Sequence, residues 1–411
     1  MMGKPIIVQK YGGTSVADVE RIKNVARKVV ASYVSGRNVC VVVSALGDTT
    51  DKLIELAQQI TDQPSERELD MLMSTGEQTS CALLAMAIHR LGHKAISFTG
   101  AQVGIITDDS FTKARIIDIN AKRIFKELGA GKIVIVAGFQ GVSMRQDITT
   151  LGRGGSNLTA VALAKVLRAQ SCEMYTDVEG VFTADPRIVK DAKKVDRISY
   201  EEMFELASLG AQVLQPRSIE FAMKFGVPIH VRSSFSEKKG TIISKEVKAM
   251  ENIVVSGVAL NKSEAKVTIC DVPDKPGIAS KIFREIARQG INVDMIVQNV
   301  SRTGATDLSF TVPGEDLNKT IKVSKELSEK IGAGGITFDK DIAKVSIVGI
   351  GMKSHSGVAA KMFEALAEKG INIEMISTSE IKISCVVKKG AGESAVRAIH
   401  SKFDLAKKKR G

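Results

Sequence analysis

Three observations predict an α/β protein with a mostly parallel central sheet, followed by two small α+β units. From residue 4 to about 245, short β-branched runs alternate with segments whose apolar residues recur at helical spacing, the pattern of a sheet covered on both faces. Several of those runs stop at a small or polar residue, where open α/β sheets hold ligands. Beyond residue 250, the segment DKPGIASKIFREIARQGINVDMI returns as KSHSGVAAKMFEALAEKGINIEMI.

Taken in order, Pro5 to Gln9 leads into Gly12-Gly13, and Asn38 to Ser44 reads NVCVVVS. Lys132 to Ala137 reads KIVIVA and stops at Gly138, while Glu173 to Thr176 reads EMYT and stops at Asp177. Between the strands, Ser15 to Ser35 and Glu66 to Arg90 carry helical periodicity, with Thr14 or Ser15 expected to cap the first helix. In the repeat, Gly277 matches Gly357, Gly290 matches Gly370, Asn292 matches Asn372 and Met295 matches Met375, each pair 80 positions apart. That period is a duplicated domain and too long for a solenoid unit. Each copy reads strand, turn, helix, strand, and the later runs Leu308 to Val312 and Ile381 to Val387 add a further strand to each. The expected boundaries are a first domain over 1–245, a linker over 246–263, and small domains over 264–337 and 338–411.

A chain of 411 residues exceeds what one core supports, and 44% hydrophobic with 25% charged residues is ordinary for a globular protein. Tryptophan is absent and aromatics make up 4%, which argues against a base-stacking nucleic-acid binder. The net charge of +12 favours anions, yet the dense basic block is confined to Lys407 to Arg410, so no nucleic-acid partner is expected. Cys40, Cys81, Cys172, Cys270 and Cys385 have no regular spacing and read as free thiols of a reducing compartment. With no signal peptide and no run able to span a bilayer, a cytoplasmic protein without a membrane partner is expected. His89 and His93, spaced i,i+4, have no carboxylate or cysteine nearby to complete a zinc site, and no protein-held metal is expected.

The residues able to carry chemistry are polar clusters around glycines. Lys10-Tyr11-Gly12-Gly13-Thr14-Ser15 follows a strand and precedes a helix, a geometry in which backbone amides receive phosphate oxygens. Its lysine precedes the glycines, so it is not a Walker A loop, and a structural turn is the other reading. Gly152-Arg153-Gly154-Gly155-Ser156-Asn157 opens another helical stretch and offers a guanidinium for a carboxylate, or is a solvated loop. Gly76, inside a helical pattern in Thr75-Gly76-Glu77, costs about 1 kcal/mol against alanine and points to a close approach. Glu77 beside it suits an ammonium group or an exposed helix surface. Asp177 and the loop Phe182-Thr183-Ala184-Asp185-Pro186-Arg187 carry both signs of charge after a strand, fitting a nucleotide or an ordinary Asp-Pro turn.

KYGGTS at 10–15, VSALGDTTD at 43–51, STGE at 74–77, AGFQGV at 137–142, TTLGRGGS at 149–156, YTDVEGVFTADPR at 175–187 and VRSS at 231–234 together resemble the aspartate kinases over the whole chain. The duplicated units resemble tandem ACT domains, βαββαβ modules of ferredoxin-like build that bind amino acids. The resemblance implies an amino-acid-kinase sandwich and ATP-dependent phosphorylation of the β-carboxylate of L-aspartate, the first step towards lysine, threonine and methionine, with ATP used together with Mg²⁺. It implies catalytic roles for Lys10 and Asn157, ATP binding by Lys10, Gly12, Gly13, Thr176, Asp177, Phe182, Asp185 and Arg187, and aspartate binding by Ser44, Thr50, Glu77, Arg153, Gly154, Gly155 and Ser156.

Two departures from the family pattern stand out. The usual aspartate after GRGGS, which orients the active-site lysine in the family, is Asn157 here; this keeps the size, removes the charge and implies a lower rate. Phe235 stands where some relatives have lysine, with Arg232, Lys238 or Lys239 as substitutes. For regulation, the resemblance implies contacts to lysine, threonine or both through Asp274, Ala279, Asn292, Val293, Asp294 and Gln298, and through Asn372, Ile373, Thr378 and Glu380. It also implies a homodimer or larger assembly through the ACT domains, and a separately translated regulatory subunit starting at Met250. Rival readings are another amino-acid kinase, acting on glutamate derivatives or uridylate, and a non-catalytic amino-acid sensor.

Overall fold

The computed structural model describes residues 4–211, 213–245, 254–299 and 304–406. Met250 and the basic block Lys407 to Arg410 lie outside the described residues. The chain forms two compact units: Met1–Val181 with Lys194–Ser208 and Gln212–Lys248, and Phe182–Lys193 with Leu209–Ala211 and Ala249–Gly411.

The first unit is built on a sheet in the order Arg197–Ser199, Thr241–Ser244, Ile229–Ser233, Ser171–Thr176, Ile6–Tyr11, Asn38–Val43, Ile133–Ala137, Ala95–Phe98. Ile229–Ser233 and Thr241–Ser244 run antiparallel, and the other neighbouring pairs of this sheet run parallel. Asn38–Val43 reads as a continuous apolar run because both of its faces are covered. Val39, Val41 and Val43 pack with Val25, Val29, Leu84 and Ile88 of helices Val19–Val34 and Glu66–Arg90. On the other side lies helix Gly155–Val166, whose residues from Gly155 to Ala164 are all buried. A smaller sheet, Ile116–Ile119, Ile105–Thr107, Gln140–Ser143 and Ile148–Thr150, completes the unit.

The first helix starts later than the sequence suggests, and its cap is Asp18, which accepts the Arg21 N–H at 2.9 Å. Thr14 and Ser15 belong instead to a short 3₁₀ turn, Gly13–Ser15, and the Ser15 hydroxyl is buried against that of Ser234 at 2.6 Å. A hydroxyl engaged there is not available to the helix amides.

The second unit contains two four-stranded antiparallel sheets. In the first, Glu264–Pro273 and Ala305–Pro313 are central, Ile296–Gln298 and Gly335–Asp339 flank them, and helices Ile278–Arg288 and Leu317–Ile331 pack on one face. In the second, the order is Gly257–Asn261, Ile342–Val348, Lys382–Lys388, Met375–Thr378, with helices Val358–Ala367 and Gly392–Lys402. Gly257–Asn261 falls inside the stretch expected as a linker. It is a full edge strand, paired from Gly257↔Val348 to Asn261↔Lys344.

The loop 182–193 also packs in this unit. The Thr183 carbonyl accepts the Val258 N–H at 2.8 Å, and the Thr183 hydroxyl lies 2.9 Å from His400 Nε2. Ala184, Val189 and Ala192 share a core with Val258, Val345 and Ile399. Among the described residues no helix is long and apolar enough to cross a membrane.

Candidate active site

The strand order reverses around Ile6–Tyr11, which has Ser171–Thr176 on one side and Asn38–Val43 on the other, and ligands of open α/β sheets bind at such a point. A cavity of about 530 Å³ opens there, at the C-terminal ends of these three strands. Lys10, Gly12 and Gly13 reach it from the first strand, Ser44 and Thr50 from beyond the second, and Thr176 from the third. Helix Gly155–Val166 presents its N-terminus to the same space, and Glu77 enters from helix Glu66–Arg90.

The glycine at 76 is explained by this convergence. A Cβ there would lie 2.8 Å from Ala45 Cβ, so helix Glu66–Arg90 approaches the loop after Asn38–Val43 more closely than a side chain permits. The approach seats Glu77, 3% exposed, so that its Oε1 accepts the Ala45 N–H at 3.1 Å. Glu77 Oε2 is buried without a hydrogen-bond partner. Burial raises the Glu77 carboxyl to about 7, against the opposing pull of the Ala45 N–H, its own backbone and Lys10. Burial likewise lowers Lys10 to about 8, against the fields of Cys172 and Glu77. Burial thus brings both groups towards neutrality from opposite sides, Glu77 from below and Lys10 from above.

Gly152 and Gly154 have φ of 75° and 73°, the left-handed region that favours glycine. A Cβ on Gly154 would fall 2.0 Å from Gln215 Cγ, so the Arg153 turn is held against that side chain. The first turn of the following helix holds Ser156 and Asn157 and no acidic residue. Its positive end is therefore uncompensated and open to an anion. A Cβ on Gly13 would sit 2.9 Å from the Gly47 carbonyl oxygen, and one on Gly12 3.3 Å from Lys10 Nζ. The floor is thus a bare backbone cradle beside a cation, which fits phosphate oxygens and a metal ion carried by them.

The structure gathers Lys10, Gly12, Gly13, Ser44, Thr50, Glu77, Arg153, Gly154, Gly155, Ser156, Asn157 and Thr176 around one cavity. Asp177 does not line it; its carboxylate accepts the Thr176 hydroxyl at 2.8 Å. Phe182, Asp185 and Arg187 belong to the second unit, where Arg187 grips Asp185 through Nε and Nη2, at 2.7 Å for Nη2, and holds that carboxyl below its ordinary value. Of the substitutes for a lysine at 235, Arg232 pairs with Glu173 at 3.5 Å and Lys238 with Glu179 at 2.9 Å, and neither they nor Lys239 line the cavity.

Among the expected effector residues, Asp274, Ala279, Asn292, Asp294, Gln298, Asn372, Thr378 and Glu380 are exposed, and Val293 and Ile373 are half-buried. Asp294 is already bound to Lys344, and Glu380 to Lys353 at 2.6 Å. Thr378 and Glu380 line a cavity of about 480 Å³ in the second copy.

Sequence reasoning missed Asp70. It is fully buried and accepts the N–H groups of Thr112 and Thr150, each at 2.9 Å, and the Thr150 hydroxyl. It therefore ties the small sheet and the loop before Arg153 to the helix that carries Glu77. The available signal was spacing, since Asp70 and Glu77 stand a heptad apart on one helix face.

Residues 5–233 match the amino acid kinase family, and residues 266–330 and 345–403 match ACT domains. The fold and the cavity thus define an amino-acid-kinase-type enzyme joined to two ACT domains. The chain is 53% identical over 401 residues to the aspartate kinase Ask_LysC of Stutzerimonas stutzeri, covering 97% of both proteins. It is also 53% identical to the aspartokinase of Pseudomonas aeruginosa, over 97% of this chain and 98% of that one. The crystal structure of E. coli aspartokinase III in complex with aspartate and ADP superposes with a TM-score of 0.82 at 26% identity, over 97% of this chain and 99% of that one. The chain belongs to the aspartate kinase family.

Proposed function

We propose that this chain transfers the γ-phosphoryl group of ATP to the β-carboxylate of L-aspartate, giving 4-phospho-L-aspartate and ADP. The reading rests on the orphaned Glu77 Oε2, a buried acceptor in the wall of a cavity that also holds Lys10 and Arg153. Such an oxygen is costly unless a donor arrives. The α-ammonium of aspartate supplies one, and its approach favours the ionised form of Glu77.

Arg153 then takes the α-carboxylate, and Ser44, Thr50, Gly154, Gly155 and Ser156 enclose the backbone of the substrate, leaving the β-carboxylate directed at Lys10. One β-carboxylate oxygen bonds to the γ-phosphorus as the bond to the β,γ-bridging oxygen breaks, and the electron pair leaves on ADP. No base is required, because the acceptor carboxylate is ionised at neutral pH. Alignment and charge do the catalysis: Lys10, the Gly12 and Gly13 amides and the N-terminus of Gly155–Val166 oppose the charge on the transferring group. Mg²⁺ bound to the phosphates neutralises part of the same charge. Thr176, at the end of its strand in the wall of the cavity, takes the nucleotide, as the family resemblance implies.

The product opens the route to lysine, threonine and methionine, and lysine, threonine or both inhibit through the ACT domains. E. coli aspartokinase III, crystallised with lysine and aspartate in its T-state, supports this assignment at a TM-score of 0.75. The exposed short edge strand Ile296–Gln298, beside Asn292 to Asp294, is the surface through which ACT domains of two chains associate into a dimer or larger assembly.

The test is incubation with MgATP, L-aspartate and hydroxylamine, which traps an acyl phosphate as a coloured hydroxamate. Hydroxamate with aspartate and none with glutamate is the expected result. Asn157→Asp, which restores a carboxylate at the helix start near Lys10, is expected to raise kcat. Absence of product from both proteins would overturn the kinase reading and leave an amino-acid sensor.

A further inference from the structure

A second cavity in the first unit, about 540 Å³, lies along helix Val19–Val34 and the segment 232–237. We propose that it is a non-catalytic binding site for a small phosphate monoester dianion.

The polar network behind the cavity wall is the first observation. A sheet face beneath a helix is normally apolar. Here neighbouring strands place Gln9, Glu173, Tyr175 and Arg232 on one face, and they are bonded to each other. Glu173 Oε2 accepts from Gln9 Nε2 at 2.7 Å and from the Tyr175 hydroxyl at 3.1 Å, while its Oε1 lies 3.5 Å from Arg232 Nη1. The Arg232 guanidinium, 24% exposed, also lies over the Tyr175 ring at 5.6 Å. Burying Gln9 and Glu173 is expensive, and they line neither cavity but stand behind Tyr175 and Arg232, which line the second. What the network achieves is a fixed guanidinium at the base of the second cavity, with donors beyond Nη1 left for a ligand.

The walls are the second observation. Arg27, Lys28 and Arg37 stand around that guanidinium, and Glu237 is the acidic residue of the lining. Lys28 is taken by Glu237, and Arg232 is balanced by Glu173. No ion pair to Arg27 or Arg37 is recorded among the described residues, so two positive charges remain uncompensated. A phosphate monoester is a dianion whose oxygens suit guanidinium forks, and the cavity is much larger than inorganic phosphate, leaving room for an esterified group. Tyr175 lines both this cavity and the catalytic one, so an occupant bears on a shared wall.

The test is calorimetric titration of the full-length protein with inorganic phosphate, with the catalytic cavity filled by saturating MgADP and L-aspartate. One phosphate per chain is expected to bind saturably. In Arg27→Gln/Arg37→Gln the affinity should fall by about tenfold or more, the loss of charge-assisted contacts, while kcat without phosphate stays at the wild-type value and certifies the fold. Glucose 6-phosphate binding more tightly than phosphate at the same stoichiometry supports the monoester. Citrate binding in preference to both overturns the phosphate class. No saturable binding beside MgADP and aspartate, or equal affinity in the variant, overturns the site itself. Kinase activity is read separately, so failure here leaves the catalytic assignment standing.

Discussion

Replacing Gly76 by alanine puts a methyl carbon 2.8 Å from Ala45 Cβ. Carbon contacts settle at about 3.5–4.0 Å, so helix Glu66–Arg90 and the Ala45 loop must part by roughly 1 Å. The alanine gains about 1 kcal/mol in helix propensity, while overpacking costs about 1–3 kcal/mol, so the net loss of stability is at most about 2 kcal/mol. The functional cost is larger. The 3.1 Å bond from the Ala45 N–H to Glu77 Oε1 opens to about 4 Å, beyond hydrogen-bonding range, and the receptor for the aspartate ammonium shifts with it. Misplacement on that scale costs up to about 100-fold in reactions that depend on alignment. Hydroxamate kinetics should therefore give a KM for aspartate raised by about 10- to 100-fold, with KM for ATP nearly unchanged. Gly129→Ala, whose Cβ meets nothing within 4 Å, is the matched control and should behave as wild type. An unaltered aspartate KM in a folded Gly76→Ala protein would refute the placement of the substrate ammonium at Glu77.

kcat/KM for aspartate should follow a narrow bell, rising as Glu77 ionises at about pH 7 and falling as Lys10 loses its proton at about pH 8; Glu77→Gln should remove the acid limb. The folded value of Glu77 lies above its reference value of 4.5, so the native state holds a proton that the unfolded state releases, and stability falls as pH rises from 4.5 towards 7. Urea midpoints of wild type and Glu77→Gln should diverge across that window, with wild type the loser. Asp70→Asn leaves one acceptor oxygen for three donors and should cost about 2–3 kcal/mol in urea unfolding, with a raised aspartate KM because the loop before Arg153 loosens. A fragment beginning at Glu264 lacks Gly257–Asn261, bares the backbone of Ile342–Val348 and should aggregate in size-exclusion chromatography more than one beginning at Val254, both having lost the core contribution of Ala184, Val189 and Ala192.

The sequence exposed what depends on local chemistry. Gly12-Gly13, Arg153 and Glu77 were legible as candidates because glycines and charges at strand ends or inside helices break the pattern around them, and the structure brings them to one cavity. The cap of the first helix was misread because Ser15 is as good a cap as Asp18 by propensity, and only the long-range bond to Ser234 diverts it. Asp70 was overlooked because its partners Thr112 and Thr150 are distant in sequence and its heptad spacing from Glu77 was the local sign of its role. Phe182, Asp185 and Arg187 follow directly after a strand of the first unit, yet Ala184 and Val189 close by bury into the core of the second, a choice set by tertiary packing. Gly257–Asn261 looked like linker because its partner, Ile342–Val348, lies a whole domain further along the chain.

That strand pairing makes the first ACT-type copy an insertion between strands of the second, and the sequence carries a device that fixes how the copies meet. Strand register makes Lys344 the counterpart of Lys266, since Lys344 faces Val386 and Lys266 faces Thr311 at matching places in the two sheets. Each lysine reaches an acid of the other copy, Lys266 to Glu374 at 3.3 Å and Lys344 to Asp294, and those two acids stand 80 positions apart in the repeat. Glu264 breaks the symmetry: it faces Pro313 where its counterpart Ile342 faces Lys388, and it gives Lys344, 2% exposed, a second acid. Buried ion pairs add little to stability, because desolvation offsets most of their attraction, so stability does not account for this one. Specificity does, because a slipped seam would leave a buried lysine or carboxylate unpaired, and the register that pairs them all is the one in which Met295 of the first copy joins Ile342, Met375 and Val386 of the second in one apolar cluster.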